Sequence, residues 1–167
     1  YSAAGGLAIG ALVSLRRLAA DPRVTRGYPA LAQAALAMGT VQLQAMGTVA
    51  GNLCQDTCCM YFNRSEPVRA SLSPCHKLGG ELCHVVDGSG DCWATYSGDL
   101  APALLVLGAR VMIGDADGER AVPLADLFSR DGRRPHTLRP GQIVTRILVP
   151  PAAPRSAGAR SRGRGRA

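Results

Sequence analysis

Apolar positions along this chain fall into periodic and aperiodic stretches. In the N-terminal part, Ile9-Gly10-Ala11 closes a short strand, and Ser14 is placed to cap a helix over Leu15 to Ala20 that Asp21-Pro22 ends. A second helix begins near Pro29, with Leu31, Ala35 and Met38 at helical spacing. Periodicity then lapses over residues 54–96 and returns at Asp99. Leu100, Leu104 and Leu107 share one helical face, with Asp99 at its start and Gly108 after its last apolar position. Arg110 to Gly114 and Arg120 to Val122 read as strands of a hairpin turning at Asp117-Gly118. Pro123 to Phe128 predicts a short helix, and Ile143 to Val149 a further strand after a Pro140-Gly141 turn. The sum is an α+β layout of short strands with helices packed alongside.

The aperiodic stretch is rich in Cys, Gly, Ser and Asp. A structureless segment of that length inside a compact domain needs something to hold it. It contains all six cysteines: Cys54, Cys58, Cys59, Cys75, Cys83 and Cys92. A chain of 167 residues has room for one domain, and 47% hydrophobic with only 4% aromatic content predicts a core of Ala, Leu and Val. No run of eighteen apolar residues exists, so no membrane-spanning helix is expected, and the first residues lack the pattern of a signal peptide. A cytoplasmic, reducing compartment is the default expectation, in which six cysteines point to metal more than to disulfides. The net charge is +7, but Arg155, Arg160, Arg162, Arg164 and Arg166 sit in the last thirteen residues. The remaining body is close to neutral, which argues against a nucleic-acid-binding face. Residues 151–167 carry Pro, Ala, Ser, Gly and Arg without periodicity and are expected to form a disordered Arg/Gly-rich tail.

Two short motifs flank the aperiodic stretch. Gly47-Thr48-Val49-Ala50-Gly51-Asn52 is a loop of small residues whose backbone N–H groups could approach a ligand, with polar side chains at both ends. Ser97-Gly98-Asp99-Leu100-Ala101-Pro102 offers a carboxylate suited to a ribityl or ribose hydroxyl. Without further context the first motif equally describes a tight turn. Together with Met46 and with Leu138-Arg139-Pro140-Gly141-Gln142-Ile143, these segments resemble the flavoprotein component of molybdenum hydroxylases, the group of xanthine dehydrogenase and carbon monoxide dehydrogenase. The resemblance runs from about Ile9 to Pro150. It implies the second FAD-binding lobe of a PCMH-type domain, a small and mostly antiparallel sheet with helices, over residues 1–150. It also implies that Gly47, Thr48, Val49, Ala50, Gly51, Asn52 and Asp99 contact FAD and that Val144 lines the site. Ala50 stands where a second glycine is commoner. Nothing here matches the family's earlier lobe or its C-terminal domain. The expectation is therefore a fragment with weak or absent FAD binding of its own.

Between the two motifs, residues 54–96 read as an inserted loop. The gaps between Cys59, Cys75, Cys83 and Cys92 are sixteen, eight and nine positions. With Tyr61-Phe62-Asn63 and the run from Gly79 to Val85, this pattern resembles the flavin subunit of 4-hydroxybenzoyl-CoA reductase, whose insert carries a [4Fe–4S] cluster. The resemblance implies those four cysteines as ligands. It also implies a role relaying electrons between the cluster and FAD, beside a molybdenum-cofactor subunit and a [2Fe–2S] subunit, with a ferredoxin-like donor. No catalytic residue is expected on this chain. Soft thiolates suit such a cluster. Zinc remains the main rival, because His76 and His84 adjoin ligand candidates, and would make the chain a non-redox binding module. An oxidative enzyme acting on a purine, aldehyde or heteroaromatic substrate is the other alternative. Cys54 and Cys58 are surplus. Trp93 and Tyr96 read as packing residues, and Asp115, Asp117 and Glu119 as a solvated hairpin tip.

Overall fold

The computed structural model describes residues 5–152. A strand β1 (Leu7–Gly10) leads into five short helices: α1 (Leu15–Ala20), α2 (Pro22–Gly27), α3 (Pro29–Leu36), α4 (Val41–Met46) and α5 (Val49–Leu53). The insert follows, with a short helix α6 (Glu66–Ala70) and a 3-10 turn at His76–Leu78. Helix α7 (Leu100–Val106) comes next, then strands β2 (Arg110–Asp115), β3 (Gly118–Pro123), β4 (Phe128–Asp131), β5 (Arg134–His136) and β6 (Ile143–Val149).

Local chemistry accounts for the helix boundaries. The Ser14 hydroxyl accepts the Arg17 N–H at 3.3 Å and starts α1 where expected. Asp21-Pro22 ends that helix, and the same pair opens α2. The Asp21 carboxylate accepts the Arg23 N–H at 2.9 Å, and Pro22 occupies the first helical position. Gly108, at φ 64°, turns the chain out of α7 in the left-handed conformation that glycine tolerates.

Four strands form one antiparallel sheet in the order β1-β6-β2-β3. The pairing of β2 with β6 shifts between Met112 and Ile113, opposite Arg146 and Val144, so Thr145 is an extra residue in β6. Side chains alternate along a strand, so Val144 and Ile147 would otherwise face opposite sides. The bulge lets both reach the core, where they are 8% and 0% exposed. Sheet residues Ile9, Val111, Ile113 and Ile147 pack there with Leu15, Leu18, Leu31, Leu53, Leu100 and Leu104 of the helices. Each such side chain contributes about 1.5–3 kcal/mol of hydrophobic stabilisation. The pair β4–β5 forms a separate two-stranded ribbon that the polar sequence did not predict.

The insert is organised differently. From residue 58 to 97 only Cys75 is buried. Its base is closed by an antiparallel bridge in which Cys58 and Thr95 exchange backbone hydrogen bonds of 2.9 Å each.

Candidate functional site

The glycine-containing loop is the N-terminal turn of α5. The Thr48 hydroxyl caps it by accepting the Gly51 N–H at 3.1 Å. The Val49 N–H donates to Val13 O at 2.9 Å, the Ala50 N–H to Ala11 O at 3.0 Å and the Asn52 N–H to Thr48 O at 2.9 Å. The expected row of open amides is therefore engaged within the protein. What the loop offers outward is the exposed Gly51, the half-buried Ala50 methyl and the half-buried Thr48. A Cβ on Gly51 would come within 2.9 Å of the capping Thr48 oxygen, and one on Gly47 within 2.7 Å of Leu43 O. Both glycines keep the turn tight.

The remaining expected flavin residues divide by burial. Asp99 is half-exposed at the N-cap position of α7. Its charge helps to raise the Tyr96 hydroxyl, which burial already holds well above the usual range. Asn52 is 3% exposed, and both ends of its amide are engaged inside. Its Oδ1 accepts the Leu100 N–H at 2.9 Å, and its Nδ2 donates to Met38 Sδ at 2.9 Å. Val49 and Val144 both belong to the core. Thr48, Gly51 and Asp99 thus hold the surface positions, while Asn52, Val49 and Val144 shape the support beneath them.

The four cysteines singled out in the sequence fall around one pocket. Cys59, Cys75, Cys83 and Cys92 line one small pocket, with Tyr61, Phe62, His76, Lys77 and His84 around them. Backbone donors point at two of the sulfurs. The Phe62 N–H donates to Cys59 Sγ at 3.2 Å. Burial raises the Cys83 thiol, but hydrogen bonds from the backbone N–H groups of Val86, Trp93 and Val85 outweigh it and hold the thiol below its ordinary value. The surplus cysteines stand apart. Cys54 packs against the core and burial pushes its thiol up, while Cys58 Sγ lies 3.6 Å from Ser97 Oγ. All six are free. His76 and His84 bond through Nε2 to the carbonyls of Ser89 and Ser73. Among the described residues, no three His, Cys, Asp or Glu side chains converge as a single-ion site would require.

Two residues that sequence reasoning passed over hold this region to the body. Lys77 Nζ, over the Phe62 ring at 4.6 Å, donates to Asp56 Oδ1 and to Thr57 O, each at 2.7 Å. Gly132, in the β4–β5 turn, lies so close that a Cβ there would sit 2.4 Å from Cys92 O. Its carbonyl accepts the Thr57 hydroxyl at 2.5 Å. That Lys77 is the sole lysine among eighteen arginines was a visible signal, while Gly132 left none. Trp93 Nε1 donates to Ser89 Oγ, and Tyr96 donates to the carbonyls of Asn52 and Leu53, consistent with packing roles.

Solved structures with the same fold include quinoline 2-oxidoreductase from Pseudomonas putida 86, with a TM-score of 0.61 and 21% identity over 92% of this chain and 40% of that one. Another is reconstituted CO dehydrogenase from Oligotropha carboxidovorans, with a TM-score of 0.59 and 18% identity over 90% of this chain and 38% of that one. The chain is 40% identical over 157 residues to the aldehyde oxidoreductase FAD-binding subunit PaoB of Escherichia coli, covering 89% of this chain. It spans 49% of that relative's length. Residues 1–152 match the family described as the FAD binding domain in molybdopterin dehydrogenase, and the chain belongs to that family.

Proposed function

We propose that this chain is part of the flavoprotein component of a molybdenum-dependent oxidoreductase and that it relays electrons between FAD and a [4Fe–4S] cluster. The observation that carries the proposal is the meeting of Cys59, Cys75, Cys83 and Cys92 at one pocket, inside the insert of an FAD-family domain. Four thiols with backbone N–H groups aimed at Cys59 and Cys83 suit a thiolate-bound group of net negative charge. Zinc is the rival occupant. It would need its sulfurs about 2.3 Å from one centre, whereas a cluster's thiolates bind separate irons and spread further apart.

For the flavin, Thr48, Gly51 and Asp99 are the residues on hand at the surface, with Gly47, Val49, Ala50, Asn52 and Val144 positioning them. FAD would supply the redox chemistry; the chain binds and orients it. Residues 1–150 serve as the FAD-binding lobe and 54–96 as its cluster-bearing insert, while the Arg/Gly tail from residue 153 onward lies outside the described residues.

The partners of this reading are a molybdenum-cofactor subunit and a [2Fe–2S] subunit. Two directions of flow compete. The 40% identity to an aldehyde oxidoreductase subunit favours outward flow from an aldehyde oxidised on another subunit. The likeness of the insert to 4-hydroxybenzoyl-CoA reductase favours inward flow from a ferredoxin. A cytoplasmic location, the default expectation of the sequence, completes the proposal; no described helix is long and apolar enough to cross a membrane.

Anaerobic purification with iron, sulfide, zinc and flavin analysis tests the reading. About four iron and four sulfide per chain are expected. One zinc without iron would overturn the cluster and leave a structural module.

A further inference from the structure

Lys77 is withdrawn from solvent although it is the chain's only lysine. Its side chain is 6% exposed, against 62% for the Asp56 carboxylate with which it pairs. Its three protons go to Asp56 Oδ1, Thr57 O and Thr57 Oγ1. The ammonium lies over Phe62, and both residues line the pocket shared by the four cysteines. An ammonium is a compact charge, unlike the spread guanidinium used at every other basic position of the chain. Burying it costs free energy unless a partner compensates. Here the partner stands mainly in water, where its own field is screened. Lys77 is among the residues lining the pocket, whereas Asp56 is not and stands mainly in solvent.

We infer that Lys77 sets the reduction potential of the thiolate-bound cluster by placing a poorly screened positive charge at its wall. The inference deepens the proposed function and rests on the cluster reading. Uptake of one electron adds one negative charge at the pocket, and Lys77 stabilises that added charge. The potential of such a group follows its net charge, its hydrogen bonds and its exposure to solvent, and Lys77 supplies the charge.

The test uses the full chain, purified anaerobically with iron and sulfide quantified, then titrated with dithionite while the visible spectrum and electron paramagnetic resonance are followed. Lys77→Met keeps an apolar stem over Phe62 and removes the charge. Its midpoint should fall by about 59 mV, a tenfold smaller reduction constant for a one-electron couple. Lys77→Arg should hold the reduction constant within about threefold. Asp56→Asn, at an exposed position, should move the midpoint upward, opposite to Lys77→Met. A purely structural pin would not give opposite signs. Iron-loaded Lys77→Met with the parent's potential overturns the inference, as does a shift of both variants in one direction. Should Lys77→Met lose its iron, the other two variants decide. An upward shift in Asp56→Asn with Lys77→Arg unchanged supports the role, and no shift in Asp56→Asn overturns it. A parent chain that holds no iron would instead sink the cluster reading itself.

Discussion

The body and the insert are held together by different forces. In the body, helices and sheet close over fully buried side chains such as Leu15, Leu31, Leu104 and Ile147. The insert buries only Cys75 between residues 58 and 97 and leaves Met60, Val68, Leu72, Val85 and Trp93 at its surface. It is fixed by polar pins at its base: the Cys58–Thr95 bridge, Lys77 on Asp56 and Thr57, and Thr57 on Gly132. Small free-standing domains without a sufficient apolar core are usually held by disulfides or a metal. Under the proposed function the thiols around one pocket would do the same for this insert.

Truncation should expose the contrast most sharply. Leu104→Ala is expected to cost about 2–5 kcal/mol in urea denaturation, because Leu104 is fully buried. Val85→Ala, at a position 46% exposed, should stay within about 0.5 kcal/mol. Equal losses would mean that the insert has a core of its own. Asn52→Ala should cost about 1–3 kcal/mol, since it leaves the buried Leu100 N–H without its acceptor. A neutral result would show that the junction between α5 and α7 does not depend on that amide. Gly132→Ala should fall in a similar range of about 1–3 kcal/mol, because its methyl must displace the Cys92 carbonyl. Its loss should appear first as faster proteolytic cleavage within residues 58–97, with the body's denaturation midpoint shifting less.

The smallest expected effect is a pH dependence. Burial lowers the His136 imidazole from its ordinary 6.5, and its Nε2 is buried without a hydrogen-bond partner. The unfolded chain therefore takes up this proton first as pH falls. Stability should be unaffected above 6.5, then decline as pH drops from 6.5 through the lower folded value. His136→Phe should flatten that decline. The carboxylates of Asp21 and Asp131, held low by hydrogen bonds from Arg23 and Arg133, give up their contribution only below about 3.8. An unchanged profile in His136→Phe would assign the decline to other groups.

Legibility in the sequence follows the same division. Periodicity and capping revealed α1, α3, α7, the β2–β3 hairpin and β6, because burial of alternate or helically spaced side chains is what holds them. The helix α2 was hidden by Asp21-Pro22, which reads as a stop and also serves as a start. The β4–β5 ribbon was hidden because Ser129, Arg130, Asp131 and Arg134 lack apolar alternation. In the insert, the cysteines were visible by type and spacing, but their meeting at one pocket depends on loop geometry that no period encodes. The open-amide reading of Gly47 to Asn52 gave way because a short sequence cannot show that Val13 and Ala11 accept those N–H groups. Nor did it reveal that the Asn52 amide would turn inward.

The pairing of Leu7 with Val149 has a consequence for synthesis. A strand near the start of the described chain waits for one near its end, and the Tyr28 hydroxyl likewise waits for the Pro150 carbonyl at 2.8 Å. During translation every cysteine leaves the ribosome before β6 does. The sheet closes last, across contacts of high sequence separation that form slowly. The thiol-bearing segment is thus complete, and its free thiols open to oxidation, while the body is still unfinished.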